Sequence, residues 1–149
     1  MLRIRLAAPA VVAILAVACS SGAPSTPPPS APANTTSATR IAIKLTDGLR
    51  MEPAGIPVPV GKAVTFVVTN AGANAHEFYV GDETAQAKHE MDMNAMGGMA
   101  HDEANGIALK PGETKELTMT FGAAGTTIAG CHQPAHYGAG MKASITIGG

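Results

Sequence analysis

Seven short segments of the chain carry alternating apolar and polar residues, or runs of β-branched residues, that predict β-strands. Turn signals such as Asp47–Gly48 and Pro111–Gly112 separate them. Pro57 and Pro59 place one strand at a sheet edge, because proline has no N–H to donate. Short strands at this spacing predict an all-β sandwich or barrel. The predicted strands are 40–46, 56–60, 63–69, 75–80, 113–121, 126–129 and 142–147.

One segment, between Asp82 and Asn105, breaks this pattern, since Thr84 is its only β-branched residue. Asp82 precedes a stretch of good helix formers, so we predict a helix over residues 83–91 with Asp82 as its cap. The glycine pair at 97–98 is a signal for its end. The segment is therefore predicted to be a helical or loop insertion between two strands of the sandwich.

Residues 1–19 are predicted to be an export signal and no part of the fold. Arg3 and Arg5 precede an uncharged apolar run that is shorter than the ~20 residues a membrane-spanning helix needs. The run ends in small residues and Cys19, which resembles a bacterial lipobox, although Ala16 stands where that motif prefers leucine. The resemblance implies a mature protein lipidated at Cys19. The alternative is an ordinary signal peptide that is cleaved nearby.

Residues 20–39 are predicted to be a disordered linker. The stretch is rich in Pro, Ser and Thr and carries no charge, so it cannot bury enough apolar surface to offset its ordering entropy. A globular domain then occupies residues 40–149. We expect the chain to be exported, anchored by lipid to the cell membrane, and extracytoplasmic.

Composition excludes several classes of function. The chain has 149 residues, a formal net charge of −1 and 3% aromatic residues. Without clustered Lys and Arg or stacking aromatics, we expect no binding to nucleic acid. The length suits one small domain. No enzyme is expected, because the five histidines form no His-x-His pair of the kind that multicopper oxidases need, and no oriented nucleophile is evident.

A candidate metal site lies near the C-terminus. Cys131 has no cysteine partner once the N-terminal cysteine is lipidated, which is unusual in an exported protein. Its loop also carries His136 and Met141, and His76 stands at the start of a distant predicted strand. A thiolate, two imidazoles and a weak thioether are the soft ligand set that selects copper. Zinc fits less well, because thioether is a poor ligand for a structural zinc site.

The pattern Cys-x4-His-x4-Met before a final strand, with a distant His after the Asn70–Gly72 turn, resembles the cupredoxins, which are plastocyanin- and azurin-like copper proteins. The resemblance covers nearly all of residues 40–149. It implies an eight-stranded Greek-key sandwich that holds one type 1 copper ion near one end. The copper ligands carried over from the motif are His76, Cys131, His136 and Met141.

Two residues depart from the pattern of many cupredoxins. Glu77 follows the first ligand where many members have Asn, and Ala135 precedes the second histidine where many have Gly. Either change can alter the hydrogen bonding of the sulfur without removing a ligand. His132 is expected to point outward, near the exit route of an electron, because adjacent side chains of extended backbone face opposite ways.

The insertion carries four of the eight methionines, together with two histidines. One interpretation is a second, weaker Cu(I) site, since thioethers are soft ligands and Met-x-Met in an extended loop can chelate. The alternatives are a helix whose methionines pack on the sandwich as core fillers, or a docking or copper-loading surface. The candidate residues are His89, Met91, Met93, Met96, Met99 and His101.

Three functions follow from these observations. The first is one-electron transfer at the outer face of the membrane by a monomer with a redox partner there. The second is copper binding and tolerance, with a partner that receives copper, and the Met- and His-rich insertion favours it. The third is a non-metal β-sandwich scaffold.

Overall fold

The computed structural model describes residues 38–149, so the predicted export signal, Cys19 and nearly all of the linker lie outside the described residues. No helix in the described part of the chain is long and apolar enough to cross a membrane. The elements are β1 (Thr39–Thr46), β2 (Arg50–Glu52), β3 (Gly55–Pro59), β4 (Ala63–Asn70), β5 (His76–Gly81), α1 (Glu83–Ala95), β6 (Gly106–Leu109), β7 (Thr114–Thr120), β8 (Gly125–Gly130) and β9 (Lys142–Gly148).

The strands form two sheets, with the orders β2-β1-β4-β7 and β3-β9-β8-β5-β6. The pairs β1–β4 and β3–β9 are parallel, and the other pairs are antiparallel. The proline-containing β3 lies at a sheet edge, as its sequence predicts. The all-β sandwich with a helical insertion is therefore confirmed. The described residues contain nine strands instead of eight, and the short β2 and β6 were not predicted.

The core lies between the sheets, where apolar side chains alternate with polar ones along the strands. In β4, Val64, Phe66 and Val68 are fully buried. The Phe66 ring lies 5.3 Å from that of Phe78 on β5, and the two rings join the two sheets. Burial of each such side chain contributes about 1.5–3 kcal/mol to stability. This contact packs the five-stranded sheet, which carries β5, against the four-stranded sheet.

The insertion forms helix α1, which covers the outer face of the five-stranded sheet over β5 and β8. Asp82 caps it as predicted, because its side chain accepts a hydrogen bond from the Ala85 N–H at 2.8 Å. The helix extends to Ala95, past the predicted end at residue 91, and Gly97 and Gly98 follow it with positive φ. Because α1 covers one face of β5 and the core covers the other, β5 is buried on both faces.

Candidate metal centre

Strand pairing brings together the histidine and the cysteine that lie far apart in the sequence. His76 is the first residue of β5, and Cys131 directly follows β8, which pairs with β5 through Tyr79 and Gly130. The loop that follows is closed on itself, because the Cys131 N–H donates to the carbonyl of Met141 at 3.1 Å. The predicted ligands of this loop are thereby held next to β5.

The donor atoms of the two histidines surround the sulfur. Nδ1 of His136 lies 3.4 Å from Sγ of Cys131, and Nδ1 of His76 lies 4.0 Å from it. The ligand atoms of these three residues all lie within 4.8 Å of one another, and no other group of three His, Cys, Asp or Glu side chains among residues 38–149 does so. Met141 is fully buried at the end of the same loop, and His136 is half-buried.

Asp47 orients the ring of His76 from the side opposite the sulfur. Nε2 of His76 donates to Oδ1 of Asp47 at 3.1 Å, which leaves the Nδ1 lone pair free for a metal. The backbone N–H of Ala73 donates to the same carboxylate at 2.7 Å, and this bond is the main cause that lowers the pKa of Asp47 to about 2. A Cβ at Gly72 would collide with the Asp47 carboxylate, so this turn requires glycine.

The sulfur of Cys131 is buried and accepts a hydrogen bond from the Glu77 N–H at 3.3 Å. Burial raises the pKa of the Cys131 thiol to about 12 in the metal-free protein. A bound cation reverses this preference, because a coordinating thiol is deprotonated. Burial and the neighbouring His76 lower the pKa of His136, so its ring stays neutral and available as a ligand.

The donor set fits copper. A thiol and two imidazoles converge in one buried pocket, and the loop that carries two of them ends at a buried thioether. These ligands suit a soft ion that cycles between Cu(II) and Cu(I). His76, Cys131 and His136 are the residues that would hold it, with Met141 as the fourth predicted ligand.

The prediction that His132 is exposed is wrong. Its side chain is 2% exposed, and its Nε2 donates to Oε1 of Gln86 at 2.6 Å. A second hydrogen bond joins its Nδ1 to the carboxylate of Glu90. The side chain does lie on the face opposite Cys131, as strand alternation requires, but α1 covers that face.

Glu77 lies beside the cluster and makes contacts that the sequence did not reveal. Its side chain is fully buried, and Oε1 accepts a hydrogen bond from Nε2 of His89 on α1 at 2.7 Å. Its Oε2 accepts one from the His132 N–H at 3.2 Å. The departure from Asn at this position was visible in the sequence, whereas the partner on the helix was not.

The structure does not bring the six residues of the candidate Cu(I) site into one group. His89 and Met93 are buried under α1, whereas Met91 and Met99 are 65% and 72% exposed. The idea that Met91 and Met93 chelate from an extended loop is wrong, because both lie on the helix, where residues two apart face different ways. The alternative interpretation, a methionine that acts as a core filler, fits Met93, which is buried.

The remaining members of that set lie at and beyond the helix end. Met96 is the C-cap of α1 and is partly exposed. His101 is exposed, and its Nε2 lies 3.3 Å from Oε1 of Glu103. Among residues 38–149, the His, Cys, Asp and Glu side chains of this segment form no group like the one around Cys131.

The fold and the cluster around Cys131 define a copper-binding β-sandwich protein. The family model described as copper binding proteins, plastocyanin/azurin family, matches residues 38–148, and the chain belongs to this family. The membership confirms the cupredoxin resemblance and the copper cofactor, and it argues against the non-metal scaffold.

Three relatives carry the name copper-resistant cuproprotein CopI. The proteins from Rubrivivax gelatinosus and Pseudomonas aeruginosa are 31% and 30% identical to this chain over 72% and 78% of its length. The protein from Vibrio cholerae is 37% identical over 62%. The matches span 65%, 80% and 54% of the relatives' own lengths, in the same order.

Solved structures of auracyanins share the fold. The dithionite-reduced auracyanin of Roseiflexus castenholzii is 28% identical, with a TM-score of 0.66 over 75% of this chain and 98% of its own. Auracyanin A of Chloroflexus aurantiacus, described as a blue copper protein, has a TM-score of 0.59 over 73% of this chain and 98% of its own. At 24% identity, the second likeness shows the fold alone.

Proposed function

We propose that this protein binds one copper ion outside the cytoplasm and contributes to copper tolerance. The observation that carries the proposal is the buried cluster in which the ligand atoms of His76, Cys131 and His136 lie within 4.8 Å of one another. The name shared by the three relatives supports tolerance as the role of the bound copper. The predicted lipid anchor at Cys19 would keep the domain at the membrane surface.

The residues around the cluster prepare it for a cation. His76 presents Nδ1 because Asp47 holds its Nε2, and His136 stays neutral because its pKa is lowered. The Cys131 thiol is protonated when no metal is present, so binding of copper is accompanied by release of that proton. The backbone N–H of Glu77 remains on the sulfur and stabilises its negative charge.

The proposal is tested in a strain that lacks the gene. We expect the strain to stop growing at lower copper concentrations than the parent, and the wild-type gene to restore growth. Cys131→Ser should not restore it, whereas Lys88→Ala should, because Lys88 lies on the exposed side of α1. Equal copper sensitivity of the deletion strain and the parent would contradict the proposed role.

One-electron transfer is the second candidate, and the partial exposure of His136 favours it. A half-buried ligand ring offers an electron a short path between the metal and a partner docked on the loop. A carrier role predicts that the deletion slows respiration in medium without added copper. A tolerance role predicts a defect only when copper is added.

A further inference from the structure

Four buried polar side chains lie beneath helix α1, on the face of the sheet opposite the core. They are Glu77, Gln86, His89 and His132, each 4% exposed or less. Burial of polar groups costs free energy unless each group is hydrogen-bonded, so such a set specifies one arrangement of the elements that carry it. The set contains no metal ligand, yet it touches both segments that carry ligands.

Glu77 is the centre of the set. Its N–H donates to Sγ of Cys131 at 3.3 Å, and its Oε2 accepts from the His132 N–H at 3.2 Å. The residue therefore joins the start of β5 to the beginning of the ligand loop through its backbone and its side chain together. The other carboxylate oxygen, Oε1, accepts a hydrogen bond from Nε2 of His89 at 2.7 Å.

His89 is itself held firmly in place. Its ring stacks on the ring of Tyr79 of β5, with 3.8 Å between the ring centroids and an angle of 5° between the ring planes. One turn earlier, Nε2 of Gln86 donates to the carbonyl of Ile128 at 2.9 Å and shares its other N–H between the carbonyls of Tyr79 and Gly81. The helix is thereby bonded to both β5 and β8, so its position and that of Glu77 depend on each other.

We infer that α1 supports the metal centre without supplying a ligand, and that His89 is a positioning residue that acts through Glu77 on the sulfur of Cys131. The inference rests on the copper site proposed above. The N–H bond to the sulfur withdraws electron density from it, and hydrogen bonds of this kind tune the reduction potential of a copper–thiolate site. Without the His89 donor, Oε1 of Glu77 is left unpaired in a buried position, and the residue shifts to satisfy it.

Three variants of the full chain test the inference. His89→Phe keeps a ring for stacking on Tyr79 but removes the donor to Glu77. His89→Gln keeps a donor, and Lys88→Ala changes a neighbouring helix residue that makes no contact with Glu77 and is bonded only to Asp92. Circular dichroism checks that each variant is folded.

The first measurement uses the copper-free protein, so it does not depend on copper function. We expect amide hydrogen exchange at Glu77 and His132 to accelerate by about tenfold in His89→Phe, which is the effect of losing one buried hydrogen bond of ordinary strength. Exchange should stay near the wild-type rate in His89→Gln and Lys88→Ala. Unchanged exchange in a folded His89→Phe variant would overturn the inference.

The second measurement is the reduction potential of the copper-loaded protein. We expect it to fall in His89→Phe, because the weakened N–H bond leaves more electron density on the sulfur, and to recover toward the wild-type value in His89→Gln. The same potential in all variants would overturn the positioning role. A protein that takes up no copper in any variant would instead overturn the proposed function and leave the exchange result standing.

Discussion

Oδ1 of Asp47 lies 3.1 Å from Nε2 of His76, on the side of the ring opposite Cys131. The carboxylate also accepts hydrogen bonds from the N–H groups of Ala73 and Asn74, so one side chain fixes both the ligand ring and the loop before it. Partners of this kind determine which ring nitrogen faces the metal.

Asp47→Asn should therefore weaken copper binding without removing a ligand. We expect an affinity about 10–100-fold lower than that of the wild type, which is the usual effect of removing the partner of a ligand histidine. Titration against a chelator of known affinity measures it. Asp92→Asn, on the exposed side of α1, is the matched control and should bind as the wild type does. Equal affinities in all three proteins would show that Asp47 does not orient His76.

The same carboxylate makes the stability of the copper-free fold depend on pH. Its pKa is lowered from 3.8 to about 2 in the folded state, so the unfolded chain takes up a proton first as the pH falls. The stabilisation from ionised Asp47 is complete above about pH 3.8 and is lost as the pH falls toward about 2. Urea unfolding across this pH range should show a smaller loss of unfolding free energy in Asp47→Asn than in the wild type. Parallel pH profiles would contradict the assignment.

The buried thiol of Cys131 should react slowly in the copper-free protein. Because its pKa is raised to about 12, almost no thiolate is present at mildly alkaline pH, and the thiolate is the nucleophile. We expect iodoacetamide to modify Cys131 far faster in urea than in buffer, as measured by peptide-resolved mass spectrometry. Equal rates in the two conditions would show that the sulfur is exposed or ionised in the fold.

Ala135 has a φ of 68°, a left-handed conformation that is costly for a residue with a Cβ. Ala135→Gly relieves that cost but adds the entropy of glycine, so we expect the free energy of unfolding to stay level or rise by up to about 1 kcal/mol. Ala139→Gly in the same loop has no positive φ to relieve and should lower the stability by about 0.5–1 kcal/mol. A larger loss in Ala135→Gly than in Ala139→Gly would contradict this explanation.

Much of the fold could be predicted because its signals are local. The β-branched runs mark the longer strands, and Asp82 and the glycine pair at 97–98 mark the limits of the helix. The short β2 and β6 have no such signal, since they exist because longer neighbours offer them hydrogen bonds. The metal cluster could be predicted from the order and spacing of its ligands, because Cys131, His136 and Met141 lie on one loop.

The contacts under α1 could not be predicted, for a physical reason. The buried face of the helix consists of Gln86, His89 and Met93. Their spacing fits one helical face, but two of the three are polar, so hydrophobic periodicity cannot reveal it. For the same reason, the alternation of side chains along the strand correctly predicted that His132 faces away from Cys131, but the prediction that it is exposed was wrong. Which face of a sheet is covered is set by the tertiary packing of a distant segment.

Crystals of the copper-loaded full chain, measured at the copper absorption edge, test the central claim most directly. We expect one strong anomalous peak within bonding distance of Sγ of Cys131 and of Nδ1 of both His76 and His136. A main peak among Met91, Met99 and His101, or no peak beside Cys131, would contradict the account.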